Sequence, residues 1–172
     1  MQSSNINTGF FLTIEGADGA GKTTHCSLLS EALNEIGLEV VSVREPGGTV
    51  VGEKIRKIVK GSEKISPLTE LLLFQAARSE LVEKVISPAI KNKKVVIADR
   101  FMDSSLAYQG FGRGINLKDI YNINEISTKK TTPNLSILLD VPTKISITRS
   151  ITRDSLYKSK ERRFENEPND FR

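Results

Sequence analysis

Residues 10–24 read Phe-Phe-Leu-Thr-Ile-Glu-Gly-Ala-Asp-Gly-Ala-Gly-Lys-Thr-Thr. An apolar run of strand character ends in Gly16-x-x-x-x-Gly21-Lys22-Thr23, and a helical pattern follows without a gap. Strand, glycine loop and helix in that order are the context in which this spacing binds phosphate. Glycines let the backbone turn so that successive N–H groups point inward at phosphate oxygens. The positive end of the following helix adds to the same field. A plain glycine turn joining strand to helix is the alternative, and the flanking pattern argues against it. The loop from Gly16 through Ala17, Asp18, Gly19, Ala20, Gly21, Lys22 and Thr23 to Thr24 is therefore a site for a nucleoside triphosphate. Lys22 is placed to reach the β- and γ-phosphates, and the Thr23 hydroxyl to ligate Mg²⁺.

Working outward, strand-like and helical runs alternate. Phe10–Glu15 is followed by a helix over Lys22–Ile36, stopped by Gly37. Strands at Glu39–Arg44, Lys94–Asp99 and Asn134–Asp140 are interleaved with helices near Val51–Val59, Pro67–Ile90, Ser104–Gln109, Leu117–Thr128 and Thr143–Arg153. Pro88 is expected to kink or end the last turn of the long helix. Gly110–Gly114 reads as a glycine-punctuated loop. Such alternation implies an α/β fold of three layers, a parallel sheet flanked by helices. At 172 residues the chain fits one domain. Its end, Lys158–Arg172, is charged and poor in aliphatics, resembling a loop entering a helix, and a further C-terminal portion is expected.

Composition narrows the function. Hydrophobic content of 38% and charged content of 27% are ordinary for a soluble protein. No apolar run approaches the ~20 residues of a membrane span. The polar start Met1–Thr8 lacks the pattern of a signal peptide. One cysteine, Cys26, excludes an intrachain disulfide or a cysteine-based zinc site and suits a reducing, cytoplasmic setting. Cys26 reads as a small core residue, and His25, the single histidine, as a plain helix residue rather than a general base. The net charge is +4; the basic excess concentrates between Arg149 and Arg172, acids are mixed in throughout, and no aromatic-interleaved basic stripe appears. A polyphosphate ligand explains that excess better than nucleic acid, so no nucleic-acid or membrane partner is expected.

Val95-Val96-Ile97-Ala98-Asp99 is a buried strand ending in a carboxylate, which in phosphate-loop proteins brings Asp99 to the Mg²⁺ at the carboxyl edge of the sheet. Asp140 also ends a strand, so the pattern is weak by itself. Arg100, directly after Asp99, strengthens it, because a guanidinium there offers bidentate phosphate recognition. The segment Asp99-Arg100-Phe101-Met102-Asp103-Ser104-Ser105-Leu106-Ala107-Tyr108-Gln109-Gly110 resembles the central motif of thymidylate (dTMP) kinases. Further blocks match the bacterial members in order: Gly16–Thr24, Arg44-Glu45-Pro46-Gly47-Gly48-Thr49, Leu73-Phe74-Gln75-Ala76-Ala77-Arg78 and Leu138-Leu139-Asp140-Val141-Pro142. The resemblance covers residues 10 to 172.

The resemblance implies a phosphate-loop nucleoside monophosphate kinase fold with a five-stranded parallel core. It also implies the reaction of ATP with dTMP to give ADP and dTDP, Mg²⁺ as cofactor, and a homodimer. Asp18 matches a carboxylate that contacts the 3′-hydroxyl of dTMP. Phe74 matches the aromatic that stacks on thymine, with core packing as the alternative. Arg78 lies one helical turn away on the same face, at spacing i, i+4, which suits a guanidinium that bonds a carbonyl edge of the base. Arg100 is expected on the dTMP phosphate, with Asp99 acting through Mg²⁺. Ser104 and Ser105 lie near the acceptor, although Ser104 alternatively caps a short helix. Tyr108 matches the aromatic crowding the 2′ position, Gln109 a residue against the pyrimidine, and Arg44 a possible contact to the acceptor phosphate.

Where one branch of the family carries an arginine in the phosphate loop, this chain has Gly19, which assigns the catalytic cations to a basic lid near 149–166. Arg149, Arg153, Arg162 and Arg163 are the candidates, with Lys158 and Lys160 adding charge. A solvated charged helix is the alternative for each. Arg162 stands where the lid motif is usually acidic. The chemistry requires in-line attack with charge stabilisation and no covalent intermediate. Three other readings remain: a phosphate-loop kinase for another nucleotide or a nucleoside, a non-kinase NTP-dependent switch, and an inactive fragment.

Overall fold

A computed structural model describes residues 8–61 and 64–157, with side chains as far as residue 152. Four parallel strands, β1 (Phe10–Gly16), β2 (Val40–Arg44), β3 (Val95–Asp99) and β4 (Leu135–Leu139), form one sheet in the order β2-β3-β1-β4. The sequence resemblance implied five strands; the described residues contain four.

The alternation of side chains along each strand explains the layering. Leu12, Ile14, Val95 and Ile97 face helix α1 (Lys22–Glu35) and pack with Cys26, Leu29 and Leu33. Phe11, Val43, Val96 and Ala98 face the opposite layer and pack with Leu81, Val82, Ile86, Ala89 and Phe101. β3 is covered on both faces, which is why its sequence is a continuous apolar run rather than an alternating one. The layers carry helix α2 (Val50–Val59), whose N-cap Thr49 accepts the Gly52 N–H, and α3 (Pro67–Leu81), capped by Ser66 with proline in its first turn.

The long helix expected over Pro67–Ile90 passes through a π-helical turn at Val82–Ile86 and continues as α4 (Ser87–Lys91). The helix runs one turn past its π-helical segment and ends at Lys91, three residues after Pro88. The Ser87 N–H bonds to the Val82 carbonyl, one residue further back than in an α-helix. That wider turn loosens the backbone just before a ring that has no N–H to offer. A second such turn, Leu106–Gly112, follows the single-turn helix α5 (Met102–Ser105), where a short helix and then a glycine loop were expected. Helices α6 (Leu117–Thr128) and α7 (Thr143–Tyr157) complete the described chain.

Register fixes the site. Arg44 lies beside Asp99, Ile14 beside Asp99, and Gly16 beside Leu139. The carboxyl ends of all four strands thus lie along one edge, with the phosphate loop at its centre.

Candidate active site

The phosphate loop leaves β1 at Gly16 and feeds α1 through Gly21, which caps the helix in left-handed conformation. Ala20 N–H closes the loop onto the Ala17 carbonyl at 3.1 Å. Gly19 is the position where a side chain is least tolerable. Its φ is +84°, and an added Cβ would fall 2.1 Å from the Ser146 carbonyl oxygen. Helix α7 therefore rests its backbone directly on the loop, with Ser146 and Ser150 buried there. An arginine at position 19 has no room in this arrangement.

Lys22 is buried at 7% exposure, and its Nζ donates to the Ala17 carbonyl at 2.8 Å. Burial, with Arg100 adding repulsion, holds its ammonium down at about 8 against the pull of Asp18, Asp99 and Glu15. The Thr23 hydroxyl donates to Asp99 Oδ2 at 2.6 Å, so the proposed Mg²⁺ pair is already joined. A hydroxyl and a carboxylate are hard oxygen donors of the kind that hold Mg²⁺ together with substrate phosphates. Thr24 follows on the exposed side of α1.

Arg100 is the hub. Its φ of +75° is unusual for a residue with a side chain. Its N–H donates to the Ile14 carbonyl at 3.1 Å. Nη2 donates to Asp18 Oδ1 at 2.7 Å and to Tyr108 Oη at 3.2 Å, and Nη1 donates to Ser104 Oγ at 3.1 Å. The guanidinium also lies 5.1 Å from the centre of the Tyr108 ring. Burial works to raise the Asp18 carboxyl, but Arg100 and Lys22 outweigh it and hold that group at about 2. A cavity of about 470 Å³ opens beside this cluster, lined by Glu15, Ala17, Arg100, Ser104, Tyr108 and Phe111 among others.

The remaining expected residues differ in burial and partners. Arg78 is 1% exposed and has several protein acceptors. Its Nε and Nη2 grip Glu45 at 2.6–3.0 Å, Nη2 also reaches the Phe101 carbonyl at 2.9 Å, and Nη1 reaches Asn124 at 2.7 Å. A buried guanidinium needs acceptors, and Glu45, from a different sequence block, supplies them. Gln109 is 2% exposed and donates to Glu70 at 2.9 Å, away from the cavity lining. Ser105 is buried too, whereas its neighbour Ser104 lines the cavity. Ser104 does not cap α5, whose N-cap is Phe101; its Oγ donates to Glu15 at 2.7 Å. Phe74 is half-buried against Ile55, Val59 and Ala77. Arg44 is largely exposed, 3.5 Å from Glu53. Arg149 is exposed on α7, while the side chain of Arg153 and all of Lys158, Lys160, Arg162 and Arg163 lie outside the described residues.

Cys26 and Glu15 complete the picture. Burial, with the nearby Asp99 carboxylate, pushes the Cys26 thiol up to about 12, which suits an inert core residue. Glu15 is 6% exposed, lines the cavity and accepts the Phe101 N–H at 2.7 Å. In the sequence it stands inconspicuously at the end of an apolar strand. The available signal was an acid placed immediately before a loop that binds polyphosphate.

A glycine loop at a parallel-sheet edge, a lysine folded into it, and a threonine joined to a strand-end aspartate define a phosphate-loop protein of the nucleoside monophosphate kinase fold. The family model for thymidylate kinase matches residues 14–169. The chain belongs to the thymidylate kinase family. It is 49% identical over 140 residues to a thymidylate kinase of Kosmotoga olearia, covering 81% of this chain and 67% of that one. Identity to a thymidylate kinase of Pelobacter propionicus is 42% over 166 residues, or 95% of this chain and 76% of the relative. The crystal structure of thymidylate kinase from Ehrlichia chaffeensis superposes with a TM-score of 0.76 at 40% identity, covering 88% of this chain and 86% of that one.

Proposed function

We propose that this protein transfers the γ-phosphoryl group of ATP to dTMP, giving ADP and dTDP. The observation that carries the reading is the Asp18–Arg100–Tyr108 cluster, which joins the phosphate loop to the β3 edge beside the cavity. An arginine, an acid and a phenol grouped next to a polyphosphate site suit a second, phosphorylated sugar substrate. A nucleotide switch that only hydrolyses its ligand has no use for them.

In this reading the loop amides and Lys22 hold the donor phosphates, and Arg100 takes the acceptor phosphate in a bidentate grip. Asp18 accepts the sugar hydroxyl, and Tyr108 closes the space at the 2′ position. Thr23 and Asp99 would hold Mg²⁺, which when bound neutralises charge on the β- and γ-phosphate oxygens. Phe74 is assigned to the thymine face, and Arg44 to the outer edge of the acceptor phosphate. Arg78, Ser105 and Gln109 take supporting places behind that surface. The cations of Arg149, Arg153 and Arg163 are assigned to the transferred group.

Exposed apolar residues on α2 and α3, among them Val51, Leu68 and Leu72, suit a homodimer packed through helices. No described helix is long and apolar enough to cross a membrane, and the one buried cysteine suits a cytoplasmic setting. A coupled ADP-release assay on the full-length protein with dTMP, dUMP, CMP and AMP tests the assignment. Stimulation by dTMP well above the others is expected. Equal stimulation by CMP or AMP would move the protein to another acceptor.

A further inference from the structure

The cluster around Arg100 contains one buried acid to which the proposed chemistry gives no work. Glu15 stands one residue before the phosphate loop, where a carboxylate opposes the binding of polyphosphate and is costly to bury. It spends both oxygens on the segment that carries Arg100. Oε1 accepts the Phe101 N–H at 2.7 Å, and Oε2 accepts the Ser104 hydroxyl at 2.7 Å. The Ser104 oxygen in turn accepts Arg100 Nη1 at 3.1 Å, while Nη2 is held by Asp18 on the opposite side. The guanidinium is thus fixed from two directions, by an acid in the loop and by an acid acting through a serine.

The backbone shows the same design. Arg100 sits at φ +75°, a conformation that costs a side-chain-bearing residue free energy and persists only when its surroundings over-determine it. The end of β1 supplies those surroundings, through the Ile14 carbonyl on the Arg100 N–H and the Glu15 carboxylate on the Phe101 N–H.

We propose that Glu15 is a positioning residue that orients Arg100, through Ser104 and the Phe101 amide, for the phosphate of the acceptor nucleotide. This rests on the assignment of Arg100 to that phosphate. Glutamine at position 15 keeps the shape and the bond to Phe101 but reverses the relay. Its amide donates to Ser104 Oγ, which turns the hydroxyl proton toward the guanidinium and removes the charge that attracts it.

Glu15→Gln is therefore expected to raise KM for dTMP about tenfold or more, the loss of a charge-assisted contact. KM for ATP and the thermal midpoint stay close to wild type. Ser104→Ala moves KM for dTMP the same way, and the double variant is no worse than the worse single one. An unchanged KM for dTMP, equal rises in both KM values, or multiplicative effects in the double variant would overturn the proposal. Nitrogen-15 NMR of the substrate-free protein separates it from the reading it rests on. Slow rotation about the Arg100 Nε–Cζ bond is expected in wild type and fast rotation in Glu15→Gln. That result with no turnover of dTMP would remove the acceptor assignment and leave the positioning role; unchanged rotation would remove the role itself.

Discussion

Alanine at Gly19 should destabilise the protein more than alanine at Gly37, and the difference measures how firmly α7 rests on the phosphate loop. The two glycines have nearly the same backbone, φ +84° and +87°. Each substitution therefore carries a similar left-handed penalty, about 1–2 kcal/mol, which cancels in the comparison. The surroundings differ. A Cβ at Gly37 meets nothing within 4 Å, whereas at Gly19 it falls 2.1 Å from the Ser146 carbonyl oxygen and 3.0 Å from the Ser150 nitrogen. Those atoms belong to a helix backbone, so no flexible side chain can swing aside. Overpacking of this kind costs about 1–3 kcal/mol. At about 2–4 °C per kcal/mol for a chain of this size, the Gly19 variant should melt several degrees below the Gly37 variant. Thermal and urea unfolding of both, each against wild type, measure it. Equal losses would refute the reasoning, since α7 could not then lie against the loop.

Other perturbations have equally definite outcomes. Lys22→Ala and Arg100→Ala should each abolish dTMP phosphorylation in a coupled assay while leaving the circular dichroism spectrum native, because one removes the cation on the donor phosphates and the other the proposed acceptor grip. Arg78→Met strands the buried Glu45 carboxylate and should cost about 3–5 kcal/mol by chemical denaturation, whereas Arg44→Met, whose partner Glu53 is 3.5 Å away at the surface, should change stability by less than about 1 kcal/mol. The Asp18 carboxyl titrates at about 2 when folded, below its ordinary 3.8. The unfolded chain therefore binds more protons between those values, and the stabilisation is complete above pH 3.8 and lost as pH falls through about 2. Asp18→Asn should flatten that limb of the stability curve, and an unchanged limb would assign the acid sensitivity to another carboxylate.

How much of this was written in the sequence depends on how local the cause is. The strand–loop–helix of residues 10–35 was legible because glycine spacing and apolar runs act through near neighbours. So was the pairing of Thr23 with Asp99, since a strand that ends in a carboxylate must end at the same sheet edge as the loop. The π-helical turns at Val82–Ile86 and Leu106–Gly112 were not legible, because a one-residue shift in a hydrogen-bond ladder leaves the helical pattern of side chains almost intact. Arg78 shows the limit best. Its burial was foreseeable from the apolar helix face, but its acceptors come from Glu45, Phe101 and Asn124, distant in sequence and chosen by the fold. Gln109 was claimed by Glu70 in the same way. Glu15 was missed because an acid at a strand end looks like a boundary residue until the amide and hydroxyl that it holds are seen.

The central claim is that the phosphate loop is the donor half of a two-substrate site, and following the γ-phosphate itself tests this most directly. The full-length protein is given ATP labelled with phosphorus-32 at the γ position, Mg²⁺ and dTMP, and the products are separated. Phosphoryl transfer between nucleotides predicts label in dTDP, appearing only when dTMP is present. Label released as inorganic phosphate at a rate indifferent to dTMP would contradict it.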